Sequence, residues 1–413
     1  MEGWHVRSWE GFPAAQQPDY EDLDSLSRVV SELRSSGEPV VDVDEIERLL
    51  DHLGRISQDD ECKIFVHAGD CAETFDSCNK DRVVRDLKFL STIGFLAQSP
   101  FVIGRICGQF GKPRSSPVED HPMAGSIPVF RGDIINSASP YDRTHDPSRM
   151  LTAHRLSRHM MEFLTKGEDM PRFTSHECLL LPYESALVRT VGAHAYNTSA
   201  HFLWIGDRTR AIDGAHVEFC RGLRNPIGIK VSHTANPDEI VNIVKRVNPH
   251  NVPGKVTIIT RFRASNQPDE LIRTVRDSGC APVVWQCDPM HGNTIQVGRR
   301  KTRRVEDIKQ EIIHTIEAHQ RNGTRLHGVH LETTGADVTE CIGVGVDETG
   351  LEERYLSACD PRLNPTQTKH VLDFVKQLLE GTCTPTKPSS YDRMTTCTTA
   401  SASPSSSHDA PTP

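Results

Sequence analysis

The 413-residue chain lacks several features, and each absence narrows its chemistry. No stretch approaches the roughly 20 apolar residues needed to span a bilayer. The opening MEGWHVRSWEGF has no basic segment followed by an apolar one. A secretory leader is therefore not expected, nor is a Ser- and Arg-rich transit peptide. The 12 cysteines are scattered, with no CxxC pair and no regular spacing. That pattern suits reduced thiols in a cytoplasmic protein rather than a disulfide framework. There is no glycine-rich dinucleotide fingerprint and no P-loop; GQFGK is too short and lacks the Ser or Thr. YESALVR is not a GxSxG nucleophile elbow. The formal net charge of −9 argues against a broad nucleic-acid surface. Local basic sites for small anions remain open.

What the chain has is alternation. Eight short runs are β-branched or apolar: KIFVHAG (63–69), PFVIGR (100–105), HECLLL (176–181), AHFLWIG (200–206), PIGIKVS (226–232), KVTIITR (255–261), PVVWQCD (282–288) and GVHLE (328–332). They are nearly continuous in apolar character, as parallel strands buried on both faces are. Amphipathic stretches separate most of them. NPDEIVNIVKRVNP has Asn236 as N-cap and Pro237 at the first helical position, and QPDELIRTVRDSG stops at Gly279. Eight strands alternating with helices predict a (β/α)8 TIM barrel over residues 61–381. An open doubly wound sheet is the competing α/β arrangement. Residues 1–60 read as an extended arm, PAAQQPDYEDL, and two amphipathic helices, the second capped by Asp42 or Asp44. Residues 106–150 form a long connection of the kind that carries function. Residues 382–413 are Ser/Thr/Pro-rich and predict a disordered tail.

A barrel places its active site at the C-terminal ends of its strands. Two chemical sets fall there. Cys71, His291, Glu332 and Asp360 offer one soft thiolate, one imidazole and two hard carboxylates. Four such donors suit a divalent transition metal such as Mn, Co, Fe or Zn. Singly, each has a plainer reading: a buried thiol, a loop histidine capping backbone, salt-bridge partners for nearby arginines. The second set is Arg105, Lys112, Arg114, Arg208, Lys230 and Arg261. A cation at a buried strand end costs several kcal/mol unless it is paired. Six exceed what those acids can neutralise beside a metal, so substrates bearing phosphate or carboxylate are implied. GRRKTRR (298–304) reads as a separate, solvated basic loop.

The motifs GDCAETF, GRICGQFGKPRSSP, RGDIIN, WIGDRTRAIDGAHVEF, NPIGIKV, VVWQCDPMHGNT, GVHLETTGADVTEC and RYLSACDPRLN closely resemble the class II (plant and mycobacterial type) 3-deoxy-D-arabino-heptulosonate 7-phosphate (DAHP) synthases. SWEGFPAAQQPDY is similar to their N-terminal arm, and the resemblance runs from about residue 8 to 380. It implies a metal-dependent condensation of phosphoenolpyruvate with D-erythrose 4-phosphate, the first step of the shikimate pathway. It puts the metal ligands at Cys71, His291, Glu332 and Asp360. Phosphoenolpyruvate contacts fall on Arg105, Asp207, Arg208, Lys230 and Arg261, and erythrose 4-phosphate contacts on Lys112, Arg114 and Ser115. The metal would polarise the aldehyde, and the proton needed there would come from Lys112 or from water at the metal. Asp207 stands where the family usually has Glu, and CIGVGVD replaces a more usual Gly-Gly segment. The interval from Arg149 to His176 is short, resembling members attached to secondary metabolism and predicting weak feedback inhibition. An aminoDAHP synthase and a non-catalytic regulatory paralogue are the alternatives. The N-terminal arm suggests a homodimer contact.

Overall fold

The computed structural model describes residues 3–58, 63–121, 123–164 and 172–382. Eight parallel strands close into a barrel: β1 (Phe65–Gly69), β2 (Val102–Arg105), β3 (Arg172–Glu177), β4 (Phe202–Ile205), β5 (Ile227–Ser232), β6 (Val256–Arg261), β7 (Val284–Cys287) and β8 (Gly328–Glu332). Neighbours in sequence are neighbours in the sheet, and β8 returns to pair with β1. The (β/α)8 TIM barrel is therefore the fold. The intervening and flanking helices include α1 (Leu23–Ser36), α2 (Val43–Ile56), α3 (Lys80–Leu96), α4 (Arg149–Leu164), α5 (Leu181–Ala186), α6 (Ala215–Arg221), α7 (Pro237–Val247), α8 (Asp269–Asp277), α9 (Val305–Arg321) and α10 (Pro365–Thr382). Asn236 caps α7 by accepting from the N–H groups of Asp238 and Glu239. Asp42 precedes α2, but its side chain makes no capping bond. The predicted disordered tail lies outside the described residues, apart from its first residue, Thr382, which ends α10. Among the described residues no helix is long and apolar enough to cross a membrane.

One strand sits differently from expectation. HECLLL predicts a third strand from His176 to Leu181, whereas β3 ends at Glu177 and Leu181 already opens α5. The reason is chemical. β3 reads RFTSHE, and its Thr174, Ser175 and His176 are buried yet hydrogen-bonded, so apolar content does not mark it. The leucines that follow are buried in the connection after the strand.

The barrel interior changes character from bottom to top. At the N-terminal end Phe65, Phe101, Phe173 and Phe202 form one apolar cluster, with Phe65 and Phe101 stacked at 5.1 Å. Leu49, Leu53 and Ile56 of α2 belong to the same cluster, so α2 plugs this end. Gly254 lets α2 come close: its φ is +71°, and a Cβ there would lie 2.2 Å from the Gly54 nitrogen. The arm before α1 lies along its own barrel. Ala215 N–H donates to Pro13, Gln17 bridges the backbone of Leu179 and Leu181, and Arg114 N–H donates to Gln16 Oε1 at 2.9 Å. The arm thereby braces the loop that carries Lys112, Arg114 and Ser115.

Leu53→Ala removes the centre of the plug and leaves a cavity against Phe rings. Chemical denaturation is expected to show a loss of about 2–5 kcal/mol, with a smaller loss if the helix can settle into the gap.

Candidate active site

The end of β1 distributes three polar residues among three tasks. Asp70 accepts the Cys71 N–H at 2.8 Å and pairs with Arg82 at 3.2 Å and Arg362 at 2.9 Å. Glu73 is buried and accepts three backbone N–H groups, from Cys107, Gly108 and Gln109, at 2.8–3.1 Å. It thus ties the start of the β2 loop to the end of β1. Burial pushes its carboxyl up to about 7, against the pull of those three donors. Cys71, between them, faces the barrel mouth. Its sulfur accepts the Asp360 N–H at 3.3 Å and lies 3.5 Å from Ser357 Oγ. Burial first, then contact with Cys359, raises its thiol well above the ordinary range. A cation beside the sulfur would reverse that shift.

Opposite Cys71, donor atoms of His291, Glu332 and Asp360 lie within 4.8 Å of one another. His291 comes from the loop after β7 and is oriented by Asp288, whose Oδ2 is 2.7 Å from Nδ1. Its Nε2 then faces Glu332 Oε1 at 2.9 Å. Glu332 ends β8 with no solvent exposure. Burial alone would raise its carboxyl, but His291, Arg303, Lys112 and Arg105 together hold it well below the usual range. Asp360 is likewise held low, against burial, chiefly by Lys112, to which its side chain bonds directly.

The cations ring the same opening. Arg105, only 2% exposed, reaches Glu332 at 3.1 Å and the carbonyls of Asp70 and Cys71. Lys230 pairs with Asp288 at 2.8 Å, and burial lowers its pKa. Both sit over the Trp204 ring, at 5.3 Å and 5.5 Å. Arg261 lies 3.8 Å from Asp207 and donates to the His291 carbonyl, while its buried Nε has no acceptor. Asp207 also accepts from Arg210 and Ser232, which anchors its short arm on β5. Arg208 is exposed at the rim. A cavity of about 230 Å³ joins these groups. Every site residue expected from the sequence lines it except Glu332, which lies beneath His291.

Four lining or supporting residues were not anticipated. GRRKTRR is not a separate solvated loop throughout: Arg303 is fully buried, 2.7 Å from Glu332, and Lys301 reaches Asp360 at 3.3 Å. The hairpin Ile295–Val297/Arg300–Thr302 turns these two inward while Arg304 pairs with Glu348 outside. Glu177 lines the cavity at the end of β3, with a buried Oε1 that has no partner. Burial raises its carboxyl despite Lys230, His291, Lys112 and Arg105. Trp204 supplies the floor. Correct placement of β3 would have put Glu177 among the strand ends; nothing in the local sequence marks Arg303 apart from its neighbours.

The chain matches the Class-II DAHP synthetase family over residues 4–169 and 165–375. It is 39% identical to a phospho-2-dehydro-3-deoxyheptonate aldolase of Neurospora crassa, over 88% of this chain and 92% of that one. A Streptomyces coelicolor protein of the same name is 35% identical, over 90% and 96% respectively. The Neurospora alignment runs to 447 positions, more than this chain's length, so that relative carries residues this chain lacks. A solved phospho-2-dehydro-3-deoxyheptonate aldolase from Francisella tularensis SCHU S4 superposes with a TM-score of 0.54, covering 86% of this chain and 96% of that one. At 14% identity it supports the fold alone.

Glu73→Gln tests the brace behind Cys71. One amide NH2 would then face backbone donors, and unfolding experiments are expected to show a loss of about 1–3 kcal/mol. Unchanged stability would mean that the loop does not depend on the carboxylate.

Proposed function

Because the chain belongs to the class-II DAHP synthetase family, we propose that the cation-rich mouth of its barrel joins phosphoenolpyruvate to D-erythrose 4-phosphate with the division of labour that follows. The activity is that of a 3-deoxy-7-phosphoheptulonate synthase, a transferase of the shikimate route to chorismate and aromatic amino acids. The observation that carries the assignment of roles is the convergence of seven cations and a carboxylate-imidazole cluster on one 230 Å³ cavity.

Arg105, Arg208, Lys230 and Arg261, with Asp207 aligning Arg261, suit the phosphate and carboxylate of phosphoenolpyruvate. Trp204 beneath them offers an apolar face to the enol carbons. Lys112, Arg114 and Ser115, on the loop braced by Gln16, suit the phosphate of the sugar. Two anions that repel in water are thus held side by side, which is mainly a positioning effect.

Cys71, His291, Glu332 and Asp360 would hold a divalent metal. The fit rests on the clustered N and O donors of His291, Glu332 and Asp360, on the Cys71 sulfur beside the Asp360 backbone, and on the depressed carboxylates. Manganese or cobalt suits this set, with zinc and iron also compatible. When bound, the ion supplies Lewis-acid polarisation of the aldehyde oxygen. Lys112, kept charged by Asp360, is placed to give that oxygen its proton as C3 of phosphoenolpyruvate bonds to the aldehyde carbon. Water adds at C2, Glu177 takes its proton, and inorganic phosphate leaves from the same carbon.

The free thiols of the described cysteines suit the reducing cytoplasm we propose as its location. A homodimer is also part of the proposal; exposed Val118 and Met123, on the hairpin formed by Val118–His121 and Gly125–Pro128, support it.

Loss of phosphoenolpyruvate absorbance tests the reading. It is expected only when metal and erythrose 4-phosphate are both present, and Cys71→Ser should abolish or greatly reduce it. Phosphate release from phosphoenolpyruvate alone would identify a hydrolase instead. Full activity and metal content in Cys71→Ser would overturn the ligand set.

A further inference from the structure

Beneath the site, inside the barrel, a chain of polar side chains is fully buried. His330 Nε2 lies 2.5 Å from Arg105 NH1. His330 Nδ1 lies 3.0 Å from His67 Nδ1. His67 Nε2 lies 2.7 Å from Ser175 Oγ, which donates to the Gly104 carbonyl at 2.9 Å. Both histidines have no solvent exposure.

These contacts admit one arrangement of protons. Guanidinium has donors and no acceptor, so His330 Nε2 must carry a lone pair. The His330 proton then sits on Nδ1 and points at His67 Nδ1. That nitrogen must accept, so the His67 proton sits on Nε2 and points at Ser175. Ser175 passes its own proton to Gly104, the residue before Arg105. The circuit closes on the backbone one residue before the arginine it began from. Gln286 Oε1 lies 3.2 Å from His67 Nδ1, where an acceptor would face a lone pair, and Gln286 Nε2 has no partner. Turning the amide resolves both conflicts.

We propose that His330 and His67, fixed as opposite neutral tautomers, are positioning residues that aim the Arg105 guanidinium at the anionic substrate. This rests on the reading that Arg105 meets phosphoenolpyruvate. Without the acceptor on His330, one buried arm of Arg105 has no partner there, and the guanidinium, held only by Glu332 and the carbonyls of Asp70 and Cys71, can turn away from the cavity. A contact made equally in ground and transition states acts on KM rather than kcat.

The experiment pairs spectroscopy with kinetics. Nitrogen-15 NMR of the zinc-loaded protein, with signals assigned by their loss in His330→Gln and His67→Gln, should show the proton on Nδ1 of His330 and on Nε2 of His67. A proton on Nε2 of His330 would overturn the proposal. His330→Leu should raise KM for phosphoenolpyruvate by about tenfold or more with a smaller change in kcat. His330→Gln, which restores an acceptor, should recover most of that loss, and Ser175→Ala should shift KM in the same direction by less. If His330→Leu does not fold, judged by its thermal transition, the tautomers and Ser175→Ala decide. Arg105→Lys separates the two layers of inference. If it leaves KM unchanged, the substrate reading fails. If it raises KM while folded His330→Leu or Ser175→Ala does not, the positioning role fails.

Discussion

Glu332 is a carboxylate without solvent at the end of the last barrel strand, and the elements around it are arranged to keep it charged. An unpaired charge there would cost several kcal/mol. Its partners come from three places: Arg105 at the end of β2, Arg303 from the hairpin after β7, and His291 from the loop before that hairpin. They meet only if the barrel closes in one register. Gly69 pairs with Glu332 on one side and with Arg105 on the other, so β1 sets the spacing between acid and base. A side chain at Gly69, where φ is +144°, would strike the Arg105 carbonyl. The ion pair and the closed barrel are therefore one constraint seen from two directions.

From that hub the interior grades downward. Charged groups fill the mouth, a hydrogen-bonded layer of histidine, serine and glutamine lies beneath, and phenylalanines close the bottom against α2. Each layer pays for the one above it by excluding water: a charge pair is worth more where the dielectric is low, and a polar layer is tolerable only if its bonds are made. The same gradient explains why binding two anionic substrates is reasonable here. Arg105 and Lys230 are already buried and paired at the mouth, so an incoming phosphate meets cations that are held in place rather than mobile lysines.

Much of this was legible in the sequence because strand ends are marked twice, by an apolar run and by the polar residue that stops it. KIFVHAG followed by Asp-Cys, and KVTIITR ending in Arg261, are such cases. The third strand was not, because Thr174, Ser175 and His176 carry polar groups whose partners, His201, Gly104 and Glu184, are brought to them only by the fold. That shift of register hid Glu177 within a strand instead of at its end. Arg303 was hidden differently. It sits in a run of five basic residues within GRRKTRR, and only the hairpin decides which of them turns inward. His67 and His330 lay inside apolar runs where a histidine looks incidental; their pairing is a tertiary fact.

The central claim is that Glu332 organises both the cations and a metal. Manganese titrated into metal-stripped protein, with free ion read by electron paramagnetic resonance, addresses it most directly. Wild-type chain is expected to take up a single ion, and Glu332→Gln, while still folded, to bind it more weakly by over about tenfold. Equal uptake by both proteins, or none by the wild type, would contradict the account.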